Sequence, residues 1–395
     1  MKSSRVRPLS IPTLQMIAEK SGFSRETVSH ILGGKLADRY KPSTRTKVLE
    51  IAEQLNYRPH RGAQAMKAGR SNLIAIVHFG AGIEAAHKTN LALSRMVNEK
   101  GYDYLAMDMN WYGGSVERTL AEIIRARVEG VLISHIQEVF QEEHVEELKR
   151  AGIPVVSVNG GARSNVPLIC DNVEEAFRGL TRHLMNLGHR RILHLVASAS
   201  HLPPGRARTI NHRLTGFRTA IESRGTWQTM NEEEFFSAWP AMSEKRPTAI
   251  TGVTIQQEAR LYERVDKPVY RFCTRLFPQG RLPDAIVCTN DLYAMEVIAA
   301  GLEYGVRVPD HLAVTGYDND RIGEFPAFGI TTAEQDIDGI CSTAVDVLMQ
   351  QIARPAETAG DRMFDSRIII RSSSAAAPAA RTKRRAARQP EDSVA

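Results

Sequence analysis

The chain is read as an all-α helix-turn-helix head followed by an α/β core of two Rossmann-like lobes, and three observations predict that fold class. Within Thr13–Leu32, two apolar stripes of helical period flank a glycine turn. From Ser71, apolar β-rich runs alternate with helical patterns over roughly 300 residues, the rhythm of βαβ units and parallel sheets. Charge is divided at the same place. Residues 1–70 hold 14 Lys/Arg against 5 Asp/Glu, whereas residues 71–380 hold 32 against 38. A basic head on a mildly acidic body points to a polyanionic partner for the head.

Residues 1–12 read as a flexible basic arm. In the head, Leu14, Ile17 and Ala18 form the first stripe and Val28, Ile31 and Leu32 the second. Gly22 suits the left-handed residue that ends a helix, and Ser24 suits the cap of the next. A third stripe, Val48, Ile51, Ala52 and Leu55, follows Ser43 as its candidate cap. Arg25, Glu26, Ser29 and His30 lie outward on the second helix, all able to hydrogen-bond to base edges or phosphates. A solvated helix face would look the same, and the basic excess around it decides for nucleic acid. Lys35, Arg39 and Lys41 in the following loop are candidate phosphate contacts. After Pro59, residues 60–67 suit a short helix too small to stand alone in water, one that folds on binding.

The core alternates LIAIVHF, a helix over 84–100, YDYLAMDM, a helix over 115–127, VEGVLISH, a helix over 142–151 and IPVVSVN. It resumes with VPLIC, a helix over 174–187, RRILHLVAS, a helix around 214–224, AIVCTN, a helix over 292–304 and LAVTGYD. This length exceeds one comfortable open sheet, hence two lobes. Residues 372–395 are low in complexity and basic, and read as a disordered tail.

Several classes are excluded. No apolar run approaches the ~18 residues of a membrane span. The N-terminal residues lack the apolar segment of a secretory signal, so a cytoplasmic protein without membrane contact is expected. Cys170, Cys273, Cys288 and Cys341 lie far apart and read as reduced, mostly buried thiols. No phosphate loop, dinucleotide fingerprint, metal-ligand spacing or nucleophile–base set is present, so neither cofactor nor enzymatic activity is expected. His135, His144, His189 and His194 read as scattered surface or core residues.

These segments, in this order, resemble the lactose-repressor (LacI/GalR) family of bacterial transcription regulators. The likeness runs through TLQMIAEKSGFSRETVSHILGG, STRTKVLEIAEQLNYRP and AQAM in the head. In the core it runs through CDNVEEAFRGLTRHLMNLGHRRILHL, RLTGFRTAI, PDAIVCTNDLYAMEVIAAGLEYGVRVPDHLAVTGYDN and FGITTAEQDIDGICSTAVDVL. The family implies a helix-turn-helix domain over 13–58, a hinge over 59–70 and a periplasmic-binding-protein type I-like core over 71–371. Lobe 1 would comprise about 71–166 and 327–352, and lobe 2 about 167–326 and 353–371.

Carried onto this chain, Arg25, Glu26 and His30 take the base-reading positions, with Ser24, Thr27, Ser29, Lys41, Tyr57, Arg61 and Ala63 as further DNA contacts. Relatives carry Arg at the place of His30 and Asn at that of Gly33, which alters the operator read. Met66 stands where relatives push a leucine into the minor groove, and His60 replaces the Asn that usually follows the Pro. Arg213, Asn290 and Asp318 take positions that clasp a sugar's hydroxyls or a corepressor's polar groups, while Asp291 suits a cap of the next helix. Asn159 stands where many sugar-binding relatives have Asp, and Phe79 and Trp239 are candidate apolar walls or core residues.

The family thus implies a repressor: a homodimer on a near-palindromic operator, controlled by a sugar-like effector. A corepressor-dependent regulator of purine type, or a solute-binding-like sensor with a diverged effector site, are the alternatives. The stretch between Gly216 and Asn290 is longer than relatives require, the excess falling roughly at 243–268, as a surface helix, an interaction patch or a lid. The leucine-heptad tail of tetrameric relatives is absent, which favours a dimer.

Overall fold

The computed structural model describes residues 12–33, 37–58, 70–78, 84–109, 115–135, 140–160, 166–197, 204–221, 226–244, 249–255, 267–355, 357 and 359–375. The chain divides into two compact units between Asn72 and Leu73.

The first unit holds α1 (Leu14–Ser21), α2 (Arg25–Gly33) and α3 (Pro42–Gln54). The Thr13 hydroxyl accepts from the Met16 N–H at 3.3 Å and starts α1. Gly22, at φ 75°, ends it with its N–H on the Ala18 carbonyl. The Ser24 hydroxyl accepts from the Thr27 N–H at 3.1 Å and starts α2. Ile17, Ala18, Val28, Ile31, Val48 and Ala52 form the buried centre. Ser43 is not the cap of α3. That helix starts two residues earlier than a Ser43 cap would give, with Pro42 in its first turn and Lys41 before it, because a proline there lacks only an N–H that the helix leaves unpaired anyway.

The second unit begins with β1 (Leu73–His78), α4 (Glu84–Glu99), β2 (Asp103–Asp108), α5 (Val116–Ala126), β3 (Gly130–Ser134), α6 (Glu142–Arg150), β4 (Val155–Val158) and β5 (Leu168–Asp171). It continues with α7 (Val173–Asn186), β6 (Ile192–Ala197), α8 (Pro204–Thr219), β7 (Thr226–Asn231), α9 (Glu232–Glu244), β8 (Ala249–Ile255) and α10 (Pro268–Leu276). The last elements are β9 (Ala285–Cys288), α11 (Asp291–Glu303), β10 (Ala313–Thr315), β11 (Thr332–Glu334), α12 (Ile337–Ala353), β12 (Arg362–Phe364) and β13 (Arg367–Ile369). A six-stranded sheet has the order β12-β5-β4-β3-β1-β2 and a five-stranded sheet the order β10-β9-β6-β8-β7. Every pair in both is parallel.

Both sheets are covered on both faces, which is why their strands are continuous apolar runs. In β1, Ala75 and Val77 face the cluster under α5 and α6, while Ile74 and Ile76 face that under α4 and α12. In the second lobe, α9, α10 and α11 cover one face, with Phe235, Trp239 and Phe272 buried there. Helices α7 and α8 cover the other, with Phe177 and Phe217. These two helices cross so closely that a Cβ on Gly216 would fall 2.0 Å from the Glu174 carbonyl oxygen. The cysteines Cys273, Cys288 and Cys341 are buried and Cys170 is half-buried.

Several expectations are corrected. The helix expected around 214–224 runs over Pro204–Thr219. Within the segment expected as surplus at 243–268, residues 249–255 form β8, integrated between β6 and β7 rather than set on the surface; 245–248 and 256–266 lie outside the described residues. The lobe boundaries also move. Strands β5 and β12 belong to the first sheet because β5 pairs with β4 and β12 with β5. Ile330 and Ala333 pack in the second lobe, since β11 pairs antiparallel with β13. The chain therefore passes between lobes at Asn172, at Gln335–Asp336 and at Asp365–Ser366.

Strand β10 is an edge of its sheet. Ser373, expected at the start of a disordered tail over 372–395, is instead buried along it: its carbonyl accepts the Val314 N–H at 2.8 Å and its hydroxyl donates to the Val314 carbonyl at 2.7 Å. His183 and His189 hold the next two residues, bonding to the Ser374 hydroxyl and the Ala375 carbonyl.

Candidate functional site

In the head, the first turn of α2 presents Arg25 and Glu26, both exposed. The Ser24 and Thr27 hydroxyls share a 3.0 Å hydrogen bond beside the helix start, where backbone N–H groups and the helix dipole favour an anion. Lys41 is exposed next to α3. Tyr57 is half-buried and near enough to Arg25 to feel its charge. Burial raises its hydroxyl pKa, against the guanidinium's lowering influence. His30 departs from expectation. It is half-buried, with Nδ1 bonded to the Tyr40 hydroxyl at 2.9 Å and Nε2 4.0 Å from Glu26. It ties α2 to the 3-10 turn Ala37–Arg39 region, so its ring is not a freely outward base reader. Ser29 is also half-buried. Arg61, Ala63 and Met66, with Lys35 and His60, lie outside the described residues.

In the core, the three crossings and the residues around them meet in one network. Tyr317 donates from its hydroxyl to Asp171 Oδ2 at 2.6 Å, and Ser366 donates to Asp171 Oδ1 at 2.7 Å. Asn159, at the end of β4, accepts the Asp171 N–H and donates from Nδ2 to Gln335 Oε1 at 3.0 Å. Gln335 Nε2 in turn donates to Asp318 Oδ1 at 2.7 Å. Asp318 has φ 99°, a conformation costly for a non-glycine residue, and its N–H bonds to the Ala333 carbonyl. Such strain is typical of positions where a side chain must be aimed.

Carboxylates crowd this region, and burial is the first cause of their shifts. Asp171 is raised to about 6, its two hydroxyl donors opposing. Asp320 is raised to about 7 by burial and by Asp318 and Glu84. Asp291 is raised to about 8 by burial, against hydrogen bonds that include the Asp320 N–H at 2.8 Å. Burial also raises Asp318, with Arg213 as the largest opposing influence. Across the lobes, Lys88 on α4 bonds to the Asn319 carbonyl at 3.0 Å and stands 3.9 Å from Asp320. Glu84 accepts the Arg321 N–H.

Arg213, on α8, lies over the rings of Phe177 and Tyr317 at 5.7 and 5.5 Å. Arg213 and Asp318 are therefore brought together, with Asn159 joined to Asp318 through Gln335. Asn290 rather than Asp291 caps α11: its Oδ1 accepts the Tyr293 N–H at 2.9 Å. Asp291 is buried within the first turn, where its carboxylate organises Asp320. Trp239 is not a cleft wall. It is 2% exposed inside the second lobe, stacked on Phe235, its indole N–H on the Arg281 carbonyl. Phe79 lies outside the described residues. The sequence reading missed Asp171, Phe177, Gln335 and Lys88 as site residues; Tyr317 had a signal, standing at a strand end beside Asp318. Among the described residues no His/Cys/Asp/Glu group suits a metal ion and no helix is long and apolar enough to cross a membrane.

A groove of about 520 Å³ lies apart from this network, on the outer face of α4 and the edge strand β2. Leu91 and Tyr104 line it with Arg95 and Glu99.

Comparison with known proteins matches residues 13–60 to the model for bacterial regulatory proteins of the lacI family. Residues 87–254 match the periplasmic binding proteins and sugar binding domain of the LacI family, and 181–374 a periplasmic binding protein-like domain. An HTH-type transcriptional regulator from the aml 5′ region of Streptomyces limosus is 27% identical over 93% of this chain and 95% of its own length. The HTH-type transcriptional repressor PurR of Haemophilus influenzae is 25% identical over 87% of this chain and 92% of its own. A lac repressor dimer bound to operator and the anti-inducer ONPF shares the fold with TM-score 0.70, 21% identity, and coverage of 92% and 99%. The transcriptional regulator CelR in complex with cellobiose shares it at TM-score 0.57 and 20% identity, covering 92% and 100%.

Proposed function

Because the chain belongs to the LacI family of bacterial regulatory proteins, a family of transcriptional regulators and not enzymes, we propose that it represses from a near-palindromic operator as a homodimer. In this reading α2 of each subunit enters a major groove, Arg25 facing a guanine and Glu26 a cytosine amino group. Lys41 and the capped start of α2 hold phosphates. A polyol or related metabolite bound between Arg213 and Asp318 sets the affinity. The nearness of those two groups, a cation over Tyr317 and the neighbouring carboxylate of Asp318 wired to all three crossings, carries the proposal: a ligand held there acts on the segments that link the lobes. Typical coupling of this kind is ~1–3 kcal/mol.

The groove on α4 and β2 supports the dimer. A twofold contact needs a self-complementary surface, and this face carries exposed Leu91 and Tyr104 among paired charges of both signs, Arg95 with Asp338 and Lys100 with Asp346. Leu91→Glu is expected to give monomers by sedimentation.

The test of the whole reading joins DNA and ligand. Arg25→Ala is expected to lose ~1–3 kcal/mol of discrimination at one base pair. Lys41→Ala should weaken all DNA evenly and reduce the salt slope by about one ion. Equal losses on operator and random DNA for both would defeat the assignment. A thermal-shift panel of sugars, sugar phosphates and purines should yield one ligand that Arg213→Ala abolishes while leaving DNA binding without ligand intact. A purine hit that also strengthens operator binding would favour the second reading, a corepressor-dependent regulator of purine type.

A further inference from the structure

His194 stands on β6, the middle strand of the second sheet, and is fully buried. Its Nδ1 is 2.9 Å from the Val287 carbonyl oxygen. A carbonyl only accepts, so Nδ1 carries the proton of the neutral ring and Nε2 presents a bare lone pair. That Nε2 is buried and has no hydrogen-bond partner. Phe177 and Phe217 pack on the ring at 5.1 and 4.8 Å.

Arg213 precedes Phe217 by one helical turn on α8, so both side chains leave the same face. The guanidinium lies over Phe177, the ring that also packs on His194. Its Nε–H is likewise buried without an acceptor. One unmatched acceptor and one unmatched donor thus share a box of Phe177, Phe217 and Tyr317. Buried polar groups are nearly always satisfied, so each unpaired one calls for an account.

We infer that His194 is a positioning residue for Arg213: its Nε2 lone pair takes the Arg213 Nε–H through one bridging water, which satisfies both buried groups and leaves the two Nη groups for the effector. The ring suits that task because it stays neutral beside a cation. Burial, with Arg213 adding to it, pushes its pKa down to about 4 despite the Val287 hydrogen bond. A protonated ring would present a second donor and repel the guanidinium. The inference gives the proposed effector residue a fixed rotamer and rests on that reading only for its consequence, since the pairing itself is measured without ligand or DNA.

The experiment is NMR on full-length protein labelled with ¹⁵N at histidine and arginine side chains. The His194 signals should report a neutral ring protonated on Nδ1, unchanged from pH 8 to pH 5. Arg213→Ala, on a half-buried side chain, should move the His194 Nε2 resonance by several ppm and leave Nδ1 in place. His194→Phe keeps an aromatic ring and removes the acceptor; it should speed Arg213 Nε–H exchange at least tenfold, and His194→Gln should restore slow exchange. A merely packed histidine would change stability in these variants without touching Arg213 exchange. An Nε2-protonated tautomer, a ring that titrates above pH 5.5, or an Nε2 resonance indifferent to Arg213→Ala would overturn the inference even if His194→Phe failed to fold.

Discussion

The head and the core place their functional groups in opposite ways. In the head, the core residues lie between Ile17 and Ala52 and the proposed base-reading side chains Arg25 and Glu26 sit on one turn of α2. In the core, the effector candidates are joined only by contacts such as Tyr317 to Asp171 and Asn159 to Gln335, which span 146 and 176 residues of sequence. A surface that reads DNA is thus specified by one helix and its cap, and most changes there act locally. A site built at lobe crossings depends on the packing of both lobes, so changes far from the ligand reach it.

The largest test of that difference is Gly216→Ala. Its new Cβ meets the backbone of α7, which is not free to yield, so the core should lose about 3 kcal/mol, the upper end of overpacking costs. Two-probe denaturation should show the core transition move and the head transition stay; a shared shift would break the comparison.

Next comes pH. A carboxyl whose pKa is higher folded than unfolded stabilises fully below its unfolded value, and that contribution is lost as pH rises through the folded value. Asp291 at about 8 and Asp320 at about 7 therefore weaken the core as pH climbs from roughly 6.5 to 8.5. Below that window the depressed histidines His78, His183 and His194 act with opposite sign to Asp171, Asp291 and Asp320, so the carboxyl effect stands alone only above it. Asp291→Asn keeps an acceptor for the Asp320 N–H and removes the charge, so it should raise core stability at pH 8 by roughly 1–2 kcal/mol. A denaturation midpoint that climbs between pH 6.5 and 8.5 would contradict the assignment.

The smallest effect belongs to the head. Tyr40→Phe removes the hydroxyl that meets His30 Nδ1, at a cost of about 1 kcal/mol and with the ring left free to turn outward. Operator selection on this variant should show a changed preference at the base pair under α2; an unchanged preference would mean His30 reads DNA while tied.

The same contrast explains what the sequence disclosed. Gly22, Ser24 and the three stripes were legible because each acts within four residues of itself. The tie of His30 to Tyr40 was not legible, because Tyr40 lies beyond α2, where helical periodicity carries no information. The rhythm of sheet and helix was legible wherever strands were apolar runs, but β7 and β8 carry Gln228, Thr229, Thr251 and Thr254, which blunt that signal. Asn290 and Asp318 were marked by their places at strand ends and Arg213 by family resemblance; the structure places Arg213 near Asp318 and gives Asn290 the cap of α11. Gln335 and Asp171 had no local signature, since a polar residue at a crossing acquires its meaning only from the other lobe.

Ser373 bears on how a sheet edge is kept from other chains. An edge strand with a free row of N–H and C=O groups is a template for pairing with another chain. Here the chain's own residues beyond β13 occupy that row on β10, and two histidines fasten them there. Removing them would leave that sheet edge open to pairing with another chain. Residues 373–375, which the sequence assigns to the tail, are in this sense a guard against aggregation.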